Sequence, residues 1–201
     1  MPDEGYHALT RAPAEGKPLI FAFHGTGGDE NQFFELAVQL VPGAGVVSPR
    51  GDVSEHGALR FFRRTGEGVY HMADLARRTD AMAEFVMRWK DAHPASPVYG
   101  FGYSNGANIL ASVAMLRPGL FERIGLLHPL IPWKPDPVPG LAGTQVLISA
   151  GRQDPICPWP MTRALVDWFT AQGASVTSQV HDGGHELRPS ELPPLQDLFR
   201  A

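Results

Sequence analysis

The sequence predicts an α/β architecture: a mostly parallel sheet covered by helices on both faces. Three observations predict it. Short apolar runs of strand length alternate with longer helical patterns, and one of those helical stretches is apolar nearly all round, as suits a helix packed on the middle of a sheet. The 201 residues are 43% hydrophobic with no linker between composition blocks, so residues 1–201 are read as one domain with a sizeable core.

The strand candidates are Leu19–Phe23, Gly45–Ser48, Pro97–Phe101, Arg123–Leu127, Gln145–Ala150 and Ser175–His181. Most read as continuous apolar runs rather than alternating ones, which is the pattern of strands buried on both faces. The helix candidates are Asn31–Val41, Ala73–Ala92, Ser104–Leu116, Met161–Gln172 and Pro189–Arg200, with Asp29 and Ser190 as candidate caps because a short polar side chain can accept an orphan N–H. Residues 50 to 72 and 128 to 140 follow neither period. They are long for connections in a compact domain, and such loops often carry function.

Composition narrows the function classes. A net charge of -4 with scattered Lys and Arg argues against nucleic acid, and the expected partner is a small molecule. Cys157 is the sole cysteine, which rules out an internal disulfide and a multi-cysteine metal site and fits a reducing compartment. The N-terminus "MPDEGYHALTRAPAEGKP" has acidic residues and prolines where a secretory leader needs a basic start and an apolar run. No segment reaches the length of a membrane span, so a cytoplasmic protein without membrane insertion is expected.

The stretch "VYGFGYSNGANIL" places Ser104 between Gly102 and Gly106, after a strand candidate and before a helix candidate. A serine on a sharp strand-to-helix turn exposes its hydroxyl, and strand and helix approach closely only if the flanking positions lack side chains. A serine hydroxyl is a poor nucleophile at neutral pH and needs a histidine base oriented by an acid. Asp154 in "GRQDPICP" follows the strand "QVLISAG", and His185 in "HDGGHEL" follows the last strand candidate. Both positions are loops at the edge where Ser104 is expected. An Asp before Pro can be a mere turn former and a His among glycines a mere loop residue, so the joint placement of all three carries the reading. Asp182 reads as a surface charge, His24 precedes the nucleophile, His128 comes before the acid, and His181 reads as a strand end. His128 could still line the pocket. His7, His56, His71 and His93 have no paired ligand spacing, so no metal is expected.

Acyl transfer also needs donors for a developing oxyanion. The backbone N–H of Asn105, at the start of the helix after Ser104, is one candidate, and that of Thr26 in the glycine-rich "FHGTGGDE" is the other. The same glycines could be an ordinary turn or a phosphate cradle, but the lysine of a P-loop and a full G-x-G-x-x-G are absent here.

Together "HGTGGDE", "GFGYSNGANI", "GRQDPICP" and "GGHEL" resemble the phospholipase/carboxylesterase group of the α/β-hydrolase superfamily, small esterases that include acyl-protein thioesterase-like and dienelactone-hydrolase-like enzymes. The resemblance runs from about residue 18 to 200, and "RGDVSEHGALRFFRR" is further similar to a bacterial subgroup of small carboxylesterases. It implies an α/β-hydrolase fold with Ser104 as nucleophile, Asp154 and His185 as its partners, Thr26 and Asn105 as oxyanion donors, and no cofactor. Asn105 departs from the Gln of such relatives, which leaves the donated backbone amide unchanged. No separate cap domain is visible, so a fairly open groove is expected.

The two long loops are expected to frame the substrate. Phe61, Phe62, Ile131, Pro132 and Trp133 offer apolar surface, and Arg60, Arg63 and Arg64 could attract an anion or pair with Glu55 and Glu67. Trp133 could equally pack on the core, and Cys157 reads as a small buried filler. The expected activity is hydrolysis of small to medium carboxylic esters through an acyl-enzyme. A thioesterase or lysophospholipase on the same triad, and a ligand-binding protein that keeps only the fold, remain the alternatives.

Overall fold

The computed structural model describes residues 5–200, so residues 1 to 4 of the N-terminal stretch and residue 201 lie outside it. In chain order the elements are β1 (Ala8–Arg11), β2 (Leu19–Phe23), α1 (Phe34–Leu40), β3 (Gly45–Pro49), β4 (Val53–Glu55), β5 (Ala58–Arg60), β6 (Arg64–Gly66), β7 (Val69–Tyr70) and α2 (Met72–Ala92). They continue with β8 (Val98–Tyr103), α3 (Asn105–Leu116), β9 (Arg123–Leu127), β10 (Gln145–Gly151), α4 (Trp159–Ala171), β11 (Ser175–His181), a short 3₁₀ turn at Pro189–Glu191, and α5 (Leu192–Arg200).

Seven strands form one sheet in the order β1-β3-β2-β8-β9-β10-β11, parallel throughout except for β1, which runs antiparallel to β3 at one edge. The predicted class is thus observed. β2 and β3 are buried at every position; β2 is apolar throughout, and the polar Ser48 of β3 donates to the Ala22 carbonyl at 3.1 Å. On one face, Met82 and Phe85 of α2, Ile109 and Leu110 of α3, and Leu165 and Phe169 of α4 meet Phe21, Ile124 and Ile148 of the sheet. On the other, Ala37 and Leu40 of α1 and Leu195 and Phe199 of α5 meet Ile20, Phe101 and Leu147. The helix predicted to sit centrally does so: every residue of α3 from Asn105 to Ala114 is buried.

Several expectations need correction. The N-terminal stretch contains strand β1, too short and too exposed to show a periodicity. The segment 50 to 72 is not irregular but holds two small hairpins, β4 with β5 and β6 with β7, whose strands of two or three residues cannot display alternation. Helix α1 starts at Phe34 rather than Asn31, because Asp29 folds back to accept the N–H of Asn31 at 2.8 Å and forms a turn instead of capping the helix. Ser190 is likewise no cap, since it lies inside the 3₁₀ turn, which is closed by Glu191 accepting the Arg188 N–H at 2.6 Å.

Parallel strands bring their C-terminal ends to one edge, and the close approach of α3 to that edge depends on two glycines. A Cβ on Gly102 would lie 2.6 Å from the backbone carbonyl of Gly106, and a Cβ on Gly106 would collide with the carbonyls of Phe23 and His24. Both neighbours are backbone and cannot swing aside. Gly102→Ala is therefore expected to lower folding stability by roughly 1–3 kcal/mol through overpacking, measured as a reduced urea midpoint with an unchanged denaturant slope.

Candidate active site

Ser104 stands between the end of β8 and the first turn of α3 with φ 52° and ψ -116°. A positive φ is strained for a residue with a side chain, and such strain persists only where packing on both sides enforces it. Here the enforcing contact is the β8–α3 approach at Gly102 and Gly106. The Ser104 N–H is held by the Leu127 carbonyl at 2.9 Å.

The three residues that the sequence singles out are brought together. His185 Nε2 lies 2.9 Å from Ser104 Oγ, and its Nδ1 lies 2.7 Å from Asp154 Oδ2. Asp154 follows β10, where its Oδ1 accepts the backbone N–H groups of Ile156 and Cys157, each at 2.8 Å. Burial alone would raise the Asp154 pKa. The Cys157 amide, His185 and His128 together outweigh burial and hold it below the ordinary aspartate value. The loop carrying His185 is pinned by Tyr103, whose phenol donates to the His185 carbonyl at 2.7 Å. Burial, with the Asp154 charge nearby, pushes the Tyr103 pKa up to about 12, so it remains a donor. This clamp was not foreseen: an aromatic at a strand end carries no sequence signal for a partner 82 residues away.

Ser104, His185, Thr26 and Asn105 line one cavity of about 270 Å³. The first N–H groups of a helix have no partner within it, so the Asn105 amide is free to donate. The Thr26 amide donates to no described residue, whereas its neighbour Gly27 donates to Leu59 at 3.0 Å. The turn that holds Thr26 is organised by His24, which donates from Nδ1 to Gly25 at 2.8 Å and accepts the Gly51 N–H on Nε2 at 2.9 Å. Burial depresses the His24 pKa, consistent with one nitrogen of each kind. Arg60 donates to Thr26 Oγ1 at 2.7 Å and to the Phe62 carbonyl at 3.2 Å.

The apolar residues expected against substrate are elsewhere. Phe61 and Phe62 are fully buried in the core, where Phe61 packs on Phe23 and His24 and Phe62 meets the edge of Tyr70. The Phe61 N–H also faces inward, where it donates to Asn105 Oδ1 at 2.7 Å. Trp133 packs against Tyr70 and, with Ile131 and Pro132, lines a separate groove beside α4. The walls of the Ser104 cavity come instead from Tyr70, Leu130, Ile156 and Cys157, with Asn108, Arg60, Arg64 and Glu67. Arg64 is paired with Glu55 and Glu67, both at 2.7 Å, and Arg60 lies 3.6 Å from Glu55. Arg63 is not at this cavity and its N–H is bonded to Asp74. Burial, followed by the Arg64 charge, depresses the Arg60 pKa. Cys157 is buried, its Sγ 3.3 Å from the His128 carbonyl, and burial pushes its pKa up so that it stays a thiol.

Behind Asp154 the structure adds a group the sequence did not assemble. His128, just after β9, is wholly buried rather than on the pocket wall, with Nδ1 3.1 Å from Asp154 Oδ2 and Nε2 3.1 Å from Glu191 Oε1. Among the described residues, His128, His181 and Glu191, and also His128, Asp154 and His185, are close enough to serve as metal ligands. The His128 nitrogens and the His185 Nδ1 are already engaged with the two carboxylates.

A parallel sheet flanked by helices on both faces, with a serine on a tight strand-to-helix turn and an imidazole and a carboxylate in line with it, defines a protein of the α/β-hydrolase class. Comparison with known proteins agrees. The protein named "Putative hydrolase MhqD" from Bacillus subtilis (strain 168) is 34% identical over 184 residues, 90% of this chain and 92% of that one. A protein of unknown function from Agrobacterium tumefaciens str. C58, Atu2452, is 50% identical in structure-based alignment with a TM-score of 0.94, over 98% of this chain and 97% of that one. A Bacillus cereus carboxylesterase superposes with a TM-score of 0.92 at 32% identity, over 98% and 94% of the two chains. No protein-family model matches the chain. The chain belongs to the small-esterase group of the α/β-hydrolase superfamily and is a hydrolase.

The side chain of Asn105 separates folding from chemistry at this site. Asn105→Ala removes the acceptor of the Phe61 N–H and leaves a buried donor unpaired. A stability loss of about 1–3 kcal/mol is expected, measured by chemical denaturation.

Proposed function

We propose that the protein is a serine carboxylesterase that hydrolyses small to medium carboxylic esters through Ser104, His185 and Asp154. The observation that carries this reading is the continuous line from Ser104 Oγ to His185 Nε2 at 2.9 Å and from Nδ1 to Asp154 Oδ2 at 2.7 Å. In this reading His185 takes the hydroxyl proton as Oγ attacks the acyl carbon, and then gives it to the leaving alkoxide, which departs as alcohol. A water activated by the same imidazole attacks the acyl-enzyme, and Ser104 regains its proton as the acid leaves. Asp154 keeps Nδ1 protonated and so directs the bare Nε2 at the serine. The oxyanion is met by the backbone N–H groups of Thr26 and Asn105, with the positive end of α3 behind the latter.

The cavity of about 270 Å³ supports compact substrates, being below the range of roughly 300–1,000 Å³ common for drug-sized ligands. All proton-transfer and oxyanion groups in this scheme come from the chain itself, so the reaction as written calls for no cofactor. The two cores on opposite faces of one sheet support action as one domain. Among the described residues no helix is long and apolar enough to cross a membrane, and a lone buried cysteine fits a cytoplasmic setting.

Nitrophenyl esters of graded chain length, with thioester counterparts, test the reading. Wild type is expected to favour short acyl esters and to be labelled stoichiometrically by a fluorophosphonate. Ser104→Ala should lose both labelling and turnover, and Asp154→Asn should lower kcat by roughly 10³–10⁴-fold. A folded wild type that resists the fluorophosphonate while binding ester would sink the enzyme assignment, and a preference for the thioester would move it to that class.

A further inference from the structure

Two buried carboxylates, Asp154 and Glu191, face each other across one imidazole. Each ring nitrogen of His128 lies 3.1 Å from a carboxylate oxygen, and the side chains of His128 and Asp154 are fully buried with Glu191 only 4% exposed. Among the described residues no lysine or arginine pairs with either carboxylate. A carboxylate accepts and does not donate, so a nitrogen facing one at this distance carries a proton, and buried charges persist only when paired.

We infer that His128 is a standing imidazolium, protonated on both ring nitrogens, which bridges Asp154 and Glu191 and sets the net charge that His185 meets. His128 and Glu191 are then positioning residues for the proposed triad, and their effect on turnover rests on that reading. The remaining neighbours fit. His181, at the end of β11, accepts the Gly183 N–H on Nδ1 at 3.0 Å, so its own proton sits on Nε2, which lies 3.6 Å from Glu191 Oε2 and 3.4 Å from His128 Nε2; the latter contact is then a close approach of two N–H groups that both face the Glu191 carboxylate. The same bond argues against a metal in the His128–His181–Glu191 group, because the nitrogen that would bind it is the protonated one. The rings of Tyr103 and His185 approach His128 at centroid distances of 5.9 and 5.4 Å, and Cys157 is a thiol that contacts only its carbonyl. The Arg188 guanidinium turns away to Glu186, while its backbone N–H donates to Glu191. His128 also holds φ 50°, a strained backbone that aims its ring under Asp154. Burial opposes a charge on His128, yet the hydrogen bonds to Glu191 and Asp154 raise its pKa above the ordinary histidine value.

The charge has a consequence for the reaction. With His128 positive, the unit of Asp154, His128 and Glu191 carries one net negative charge, as a lone triad aspartate does. Replacing His128 by neutral glutamine leaves two negative charges, which favours protonated, inactive His185.

The test begins with wild-type protein carrying ¹⁵N-histidine. At about pH 7 both ring nitrogens of His128 are expected in the protonated range, and in E191Q the pH at which the second proton leaves should fall. The acid limb of the kcat/KM profile for a nitrophenyl ester should move to higher pH in H128Q by roughly one unit. A bare ring nitrogen on His128 in the wild-type spectrum overturns the inference, whatever the variants do. A folded H128Q whose profile superimposes on wild type overturns the positioning role. Should H128Q fail to fold, the wild-type spectrum and the E191Q titration decide. If Ser104 proves unreactive to the fluorophosphonate, the esterase reading and the positioning role fall together, while the spectrum still decides the charge.

Discussion

The site depends on one geometric constraint: four neighbouring parallel strands deliver their C-terminal ends to the same edge. Ser104 follows β8, His128 follows β9, Asp154 follows β10 and His185 follows β11, and those strands are adjacent in that order. Adjacent strands lie about 4.8 Å apart, so the residues from β8 and β11 begin roughly three such spacings from each other. The loop after β11 must therefore fold back across the strand ends. Gly151 permits this, because a Cβ there would collide with the carbonyls of Gly183 and Gly184. The returning loop is laced down by the Arg152 N–H to the His181 carbonyl at 2.8 Å and the Gln153 N–H to the Gly183 carbonyl at 2.9 Å. The packing requirement of the returning loop thus falls on Gly151, whereas a Cβ on Gly183 or Gly184 would meet chiefly the ends of the Glu186 and Arg188 side chains.

That constraint also explains what the sequence reveals and what it hides. Ser104, Asp154 and His185 are legible because each sits in a short turn just after an apolar run, and the order of runs fixes which edge they share. The central helix is legible because it is apolar all round. His128 has the same strand-end placement, yet its meaning depends on Glu191, 63 residues on and at the start of a terminal helix where an acidic residue is unremarkable. The burial of Phe61 and Phe62 is hidden for a related reason. Large apolar residues in a polar loop suggest a ligand surface, but the hairpins β4–β5 and β6–β7 are too short to be seen as elements that could turn those side chains into the core.

The segment that holds the arginines braces the site more than it charges it. The Gly27 N–H donates to Leu59, the Arg60 side chain to Thr26 Oγ1, the Gly51 N–H to His24 Nε2, and the Phe61 N–H to Asn105 Oδ1. Together these bonds tie residues 51 to 61 to both turns that flank Ser104, the one after β2 and the one that opens α3. Each involves a buried or half-buried donor or acceptor, so losing one member leaves the other unpaired at a cost larger than the bond's net value. The nearby charges largely cancel: Arg64 is shared by Glu55 and Glu67, and Glu55 also lies near Arg60. An anion entering this cavity would have to compete with carboxylates already in place.

Brace and wall overlap at Arg60. The His24 and Asn105 side chains that hold these turns are buried and bonded to backbone, Arg60 both braces Thr26 and lines the cavity, and Tyr70, Leu130 and Ile156 meet it from the end of the first long loop, the start of the second and the turn after Asp154. Tyr70 ties the wall together, because its phenol donates to the Leu130 carbonyl at 2.8 Å and accepts from Asn108 at 2.8 Å. Asn108 in turn accepts the Leu130 N–H at 2.6 Å, which closes a ring of bonds from α3 to the 128–140 loop. The position of Leu130 against the cavity is thus set from the helix that begins beside Ser104, so this wall and the Ser104 turn are held by one bonded unit.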